Sequence, residues 1–286
     1  MQKRKYCLLF FLFLQQVLWG QHYDLSKVIY ETEDSVLVER LLRTDIDSES
    51  TTLRYARFFL GRPYVAHTLE KADPEQLVVN LRELDCTTIV ETVGALTRAR
   101  SVDIPSFSDF CQALERLRYW GGKINGYCSR LHYFTWWMHD NLSKSEIIEI
   151  FDSIYTTTPL VVNNYYMSLY PDKYAFLKNN PERVTKIKAL EKKYNKPDGC
   201  YIAARYLNRS KSELGFIKDG DIIAIVTAKR GLDYSHLGFA VWGKDGKLHM
   251  LHASSVKKKV VEDVTPLYDY LRKQPSALGI RVFRFR

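Results

Sequence analysis

The spacing of apolar and polar positions divides the chain into an early part with helical period and a late part with strand period. Before residue 60, "SVLVERLLRT" repeats its apolar residues at three- and four-residue steps. "TTLRYARFFLG" runs helically to Gly61, a fitting stop. "LVVNL" (77–81) predicts a short strand. From Cys86 to about Arg98 the pattern predicts a helix with Ile89, Val90, Val93 and Leu96 on the face of Cys86, while Thr88, Glu91 and Thr92 point elsewhere. "FSDFCQALERLRYW" and "SKSEIIEIFDSIY" read as amphipathic helices, and the segment from "YPDKY" to "KPDG" as two turns and a charged helix. After about residue 215 come short β-rich runs: "DIIAIVT", "HLGFAVW", "KLHMLHAS", "KKKVVED" and "IRVFRFR". Asp-Gly in "WGKDGKL" marks a hairpin. Helices first and an antiparallel sheet last make an α+β chain, not an alternating βαβ one.

Composition fits one folded domain: 286 residues, 46% hydrophobic and 26% charged. The first twenty residues have the layout of a secretory signal, with Lys3, Arg4 and Lys5 ahead of the apolar run 6–14 and Gly20 at the end. That run is short of the ~20 residues a membrane span needs, so export is expected over a membrane anchor. A signal at 1–20 would leave a mature chain, 21–286, that is secreted or periplasmic and has no membrane span. Removing the three basic residues takes the net charge from +9 to +6. The remaining excess is dispersed, with "VKKKV" (256–260) the one tight cluster, so nothing points to nucleic acid. A moderate positive balance suits a negatively charged wall polymer, or simply a solvated surface.

Cys86, Cys111, Cys128 and Cys200 remain beyond the signal, too few and too scattered for a disulfide scaffold. No CxxC pair suggests zinc, and no metal or organic cofactor is expected. Cys111 shares an apolar stripe with Phe107, Phe110 and Leu114 and reads as core.

Cys86 follows Asp85, a good helix N-cap, and so stands in a first turn whose unpaired N–H groups favour a thiolate. The Asp85 charge opposes that, so a nucleophilic Cys86 needs a base; the bland alternative is an inert core thiol. In "SHLGFAVW" the pleat sets His236, Gly238, Ala240 and Trp242 on one face, with Leu237, Phe239 and Val241 on an ordinary core face. The two small residues after His236 leave room for a helix or a substrate. His252, on the face opposite His249, supplies a second polar group, completing a nucleophile–base–orienter order. In "NGYCSRLHYFTWWMHDN", Arg130 could grip a peptide carboxylate with two prongs. Tyr133, Trp136 and Trp137 could pack on sugar or peptide, or fill a core.

The segments "GRPYVAHTLE", "LVVNLRELDCTTIVETVGAL", "SRLHYFTWW", "LNRSKSELGFIKDGDIIAIVT", "GLDYSHLGFAVW" and "MLHASS" resemble the bacterial N-acetylmuramoyl-L-alanine amidase-like family within the NlpC-type papain-like cysteine peptidases. The resemblance runs from about residue 50 to the C-terminus. It implies a papain-like α+β fold: a nucleophile helix packed on a late antiparallel sheet, with a mostly helical insertion at about 101–200. It also implies Cys86 as nucleophile, His236 as base and His252 as orienter. Tyr64 in "RPY" becomes a substrate contact, and Asp85 and Ser235, beside the catalytic residues, are grouped with it. The family usually has glycine where this chain has His67, which therefore narrows the groove or adds a contact. The implied partner is peptidoglycan or its muropeptide fragments. The implied reaction is hydrolysis of the N-acetylmuramoyl-L-alanine amide through a thioester. Cleavage between D-glutamate and the diamino acid is the alternative, and a non-catalytic wall-binding protein the second.

Overall fold

The computed structural model describes residues 23–44 and 50–286, so the expected signal segment lies outside the described residues. The helices are α1 (Thr32–Leu42), α2 (Thr51–Phe58), α3 (Cys86–Ala99), α4 (Phe107–Arg118), α5 (Phe134–Ser143), α6 (Tyr166–Leu169), α7 (Pro181–Tyr194) and α8 (Leu267–Arg272). The strands are β1 (Val28–Ile29), β2 (Leu77–Val78), β3 (Ile147–Ile150), β4 (Thr156–Val161), β5 (Pro197–Ala203), β6 (Ile222–Thr227), β7 (Tyr234–Trp242), β8 (Leu248–Ser254), β9 (Lys259–Glu262) and β10 (Ala277–Phe285). β1 and β2 form a small parallel pair. The main sheet has eight strands in the order β4-β5-β10-β6-β7-β8-β9, with β3 also on β10. Each of its pairings is antiparallel. The architecture is α+β, as the sequence pattern predicts.

One expectation changes. "SKSEIIEIFDSIY" is not a helix: Ile147–Ile150 pairs with Val282–Phe285 of β10. The segment 101–200 holds α4, α5, α6 and α7 and also supplies β3, β4 and the start of β5 to the sheet. The closely spaced isoleucines satisfy either period, and the open edge of β10 decides for strand.

The helix α3 is buried on every side. Ile89, Val90, Val93 and Leu96 pack into the core, and so, against expectation, do Thr88, Glu91 and Thr92. Gly94 is part of the reason, because the ring of Phe285 occupies the place where a Cβ would stand. On the α3 side of the sheet, Leu237, Phe239, Val241, Leu251 and Phe283 join Trp136 and Trp137 in one core. The other face carries Ala240, Trp242 and Met250 beneath Leu267 and Leu271 of α8. Each fully buried phenylalanine contributes about 1.5–3 kcal/mol. The pleat of β7 therefore falls as the sequence predicts, with a covered layer on both sides.

Candidate active site

The start of α3 is fixed by a reciprocal cap. Asp85 Oδ1 accepts the Thr87 and Thr88 backbone N–H groups at 3.0 and 2.8 Å, and Thr88 Oγ1 accepts the Asp85 N–H at 2.8 Å. Cys86 is thus the first helical residue, where backbone donors lack intrahelical partners. Burial, and then the Asp85 charge, push its thiol up to about 12. The Leu237 backbone N–H, the Thr87 side chain and the Cys86 N–H pull the other way without prevailing. The helix terminus alone does not make this thiol a thiolate, so a base is needed.

His236, near the start of β7, supplies one. Its Nε2 lies 2.5 Å from His252 Nδ1, with the two rings perpendicular (87°). Gly238 permits this approach. A Cβ there would stand 2.7 Å from the Leu251 carbonyl oxygen and 2.9 Å from the His252 Cβ. Of the two small residues that follow His236 in the sequence, Gly238 makes room for the neighbouring strand and Ala240 lies beneath the helix α8. Burial first, then His252 and Lys229, lower His236 to about 3. Burial lowers His252 to about 4 against the opposing pull of Asp263. Both imidazoles are neutral at neutral pH, and the His236 Nε2 contact leaves Nδ1 as its other ring nitrogen. A neutral thiol and a neutral imidazole lining one cavity are groups that can react by proton transfer.

Cys86 and His236 line one cavity of about 170 Å³, together with Ser235, Tyr133 and Met167. A second cavity of about 180 Å³ is lined by His67, Glu70, Asp85, Glu91 and Arg130. Thr87, His132 and Tyr174 border both, so the two form one groove across the helix start.

The other predicted residues divide by what their polar atoms already do. Tyr64 sits by the nucleophile: burial, then the nearby Cys86 and Asp85, push its hydroxyl up to about 12. The Ser235 hydroxyl is buried and has no hydrogen-bond partner among the described residues. His67 is exposed at the second cavity, its ring edge-on to Tyr174, with φ at +62°, a conformation that favours glycine. Two expectations need correction. Arg130 is not a free fork, because its guanidinium is buried, paired with Glu75 (3.4 Å) and Glu70 (4.0 Å), and lies over the Tyr127 ring. The Tyr133 hydroxyl donates to Glu191 at 2.7 Å and accepts the Met167 N–H at 2.8 Å, so only its ring is left for a ligand. Trp136 and Trp137 are core.

Sequence reasoning passed over His132 and Asp263. His132 Nε2 lies 3.0 Å from the Tyr127 carbonyl, which holds it as a donor and leaves Nδ1 to accept at the junction of the two cavities. Asp263 Oδ2 lies 3.6 Å from His252 Nε2. Pairing "KKKVVED" against "KLHMLHAS" would have brought Asp263 near His252, because β9 places Val261 opposite His252.

The model of the AmiA-like family, described as N-acetylmuramoyl-L-alanine amidase-like, matches residues 54–280. The chain belongs to this family. Among solved structures, an N-acetylmuramoyl-L-alanine amidase from Bacteroides uniformis is 39% identical with a TM-score of 0.78, over 82% of this chain and 98% of that one. A Bacteroides fragilis protein provisionally described as a xylanase is also 39% identical (TM-score 0.76), over 82% and 100%. A Legionella pneumophila protein is 25% identical (TM-score 0.68), over 88% and 94%. No curated protein matches at a significant level. The amidase-like family implies a peptidoglycan amide as substrate.

Proposed function

We propose that this amidase-like chain is an exported cysteine hydrolase that cuts the amide between N-acetylmuramic acid and L-alanine. The observation that carries the reading is one cavity lined by both Cys86 and His236, with the base tied through Nε2 to His252. His236 takes the Cys86 proton as sulfur attacks the carbonyl carbon. The Cys86 backbone N–H, which the Asp85 cap does not take, is the helix-start donor available to the developing oxyanion. Collapse expels the L-alanine amine, which takes the proton back from His236. A water activated by the same imidazole then hydrolyses the thioester. Protein groups and water carry every step.

Tyr64 and Ser235 are the substrate contacts best supported, since each offers a hydroxyl beside the nucleophile. This papain-like order of groups, cysteine on a helix start and histidines on adjacent strands, also supports membership of the NlpC-type clan. A xylanase would rely instead on two carboxylates flanking the scissile bond. At the second cavity, Asp85 caps α3 and Glu91 pairs with Arg118.

The test is mass spectrometry of defined muropeptides incubated with the wild type and with Cys86→Ala. Release by the wild type alone of peptide with a free L-alanine amine is the expected result. Cys86-dependent release of L-alanyl-D-glutamate fragments would move the enzyme to the endopeptidase reading. Binding without cleavage by either protein would leave a wall-binding role.

A further inference from the structure

Between His236 Nε2 and His252 Nδ1, 2.5 Å apart, there is room for one proton. Two neutral arrangements are available. In the first, His236 donates from Nε2, His252 accepts on Nδ1 and carries its own proton on Nε2, and His236 Nδ1 is bare. In the second, His252 donates from Nδ1, its Nε2 is bare, and the His236 proton sits on Nδ1. Only the first leaves His236 a lone pair on Nδ1 for the Cys86 proton. The second is closed to general-base catalysis until the pair rearranges.

The choice rests on the surroundings of His252 Nε2. That atom is buried and has no hydrogen-bond partner among the described residues, and the Asp263 carboxylate is 3.6 Å away. A carboxylate stabilises an N–H that faces it and repels a bare lone pair. We infer that Asp263 is a positioning residue which, through His252, holds both histidines in the Nε2–H tautomer and so keeps His236 Nδ1 free to act as the base. The inference rests on the Cys86–His236 reading above.

The chain around Asp263 is built to aim one oxygen. Oδ1 accepts the Thr265 N–H at 2.9 Å and pairs with Lys257 Nζ at 3.1 Å. The Asp263 N–H donates to the Met250 carbonyl (2.9 Å), and its own carbonyl accepts from His249 Nδ1 (2.9 Å). Oδ2 is left for His252. Burial works against the charge on Asp263, but the Thr265 N–H and Lys257 more than offset it and hold the carboxyl below its usual range. The remaining neighbours of His252 do not compete for the same atom. His236 meets Nδ1, Tyr270 of α8 presents a ring at 5.5 Å, and Lys257 lies on the far oxygen of Asp263. At 3.6 Å the contact is longer than a hydrogen bond. Asp263 therefore acts as a fixed charge facing an N–H dipole in a buried site, where low dielectric strengthens the bias.

Asp263→Asn reverses that bias. The amide oxygen keeps the Thr265 N–H, so the NH₂ group faces His252 Nε2 and favours it bare. Nitrogen-15 NMR of histidine-labelled protein should show both His236 and His252 as Nε2–H in the wild type and as Nδ1–H in Asp263→Asn. Relative kcat/KM should fall about 10- to 100-fold, in proportion to the lost population of the open tautomer pair. Asp263→Glu should recover part of it, with unfolding transitions close to wild type. An Nδ1–H His252 in the wild type overturns the inference, and that measurement needs no variant. Alkylation of Cys86 by iodoacetamide across pH separates this inference from the reading beneath it. An unchanged profile in His236→Ala would defeat the Cys–His reading itself. A changed profile in His236→Ala beside a wild-type one in Asp263→Asn would defeat only the role of Asp263.

Discussion

Glu91 gives the sharpest test of how the nucleophile helix is anchored. It accepts from Arg118 Nε at 2.6 Å, and both side chains are only 2–3% exposed. Arg118 Nη1 also donates to the Val78 carbonyl at 2.7 Å, so one guanidinium ties α3, α4 and the strand β2 together. Glu91→Ala leaves that guanidinium buried without its counter-charge, a loss that costs about 3–5 kcal/mol. For a chain of this size the same loss lowers Tm by about 6–20 °C. Glu91→Met with Arg118→Met removes both charges and leaves the Val78 carbonyl without that donor, costing about 1–3 kcal/mol. The double variant should therefore be more stable than the single one. Urea unfolding measures this as a midpoint shift at unchanged slope. A single variant within about 1 kcal/mol of wild type, or a double variant less stable than the single, would refute the buried-pair account.

The pH dependence has a definite sign. His236 and His252 are lowered to about 3 and about 4 from an ordinary 6.5, so between those values the unfolded chain binds the extra protons. Stability should fall as pH drops from about 6.5 towards 3, and His252→Gln should flatten that fall in pH-dependent thermal unfolding. For the same reason the acid limb of kcat/KM should lie below the ordinary histidine range, read from a rate profile between pH 3 and 8. His67→Gly should relieve the left-handed backbone at φ +62° and stabilise by about 1 kcal/mol, visible as a rise in Tm. Ser235→Ala deletes a buried hydroxyl that has no partner, so Tm should hold or rise slightly, while KM for muropeptide should increase if that hydroxyl meets substrate. Unchanged KM would remove Ser235 from the binding residues.

What the sequence made legible follows from the range of the forces involved. The start of α3 could be read because its cap is local: Asp85, Thr87 and Thr88 settle it within four residues. The face that His236 takes on β7 could be read because the pleat alternates without regard to partners. The burial of Glu91 could not, because a charged residue is assigned to solvent until its counter-charge is known, and Arg118 lies 27 residues later on another helix. β3 reads as a helix for a similar reason, its partner strand being more than 130 residues away. Arg130 shows the converse error. Its guanidinium suits a carboxylate, but two carboxylates of this chain, Glu70 and Glu75, already lie beside it.

Residue type therefore proposes a site, and unspent hydrogen-bonding capacity selects within it. Tyr133 has the right chemistry and has committed its hydroxyl to the fold, and Arg130 is held by the charges of Glu70 and Glu75. Ser235 Oγ and His252 Nε2 are buried polar atoms without partners, in a protein where leaving such atoms unpaired costs about 1–3 kcal/mol each. Ser235 Oγ lines the cavity that holds Cys86, and His252 belongs to the ring that holds the base beside it. Ser235 Oγ is thus open to a ligand, whereas His252 Nε2 faces Asp263, and the Trp136 and Trp137 indole N–H groups of the core lack a partner too, so an open valence counts toward function only where it lines the site. The register of β8 against β9, which sets Asp263 near His252, therefore carries more about catalysis here than any further residue of suitable type.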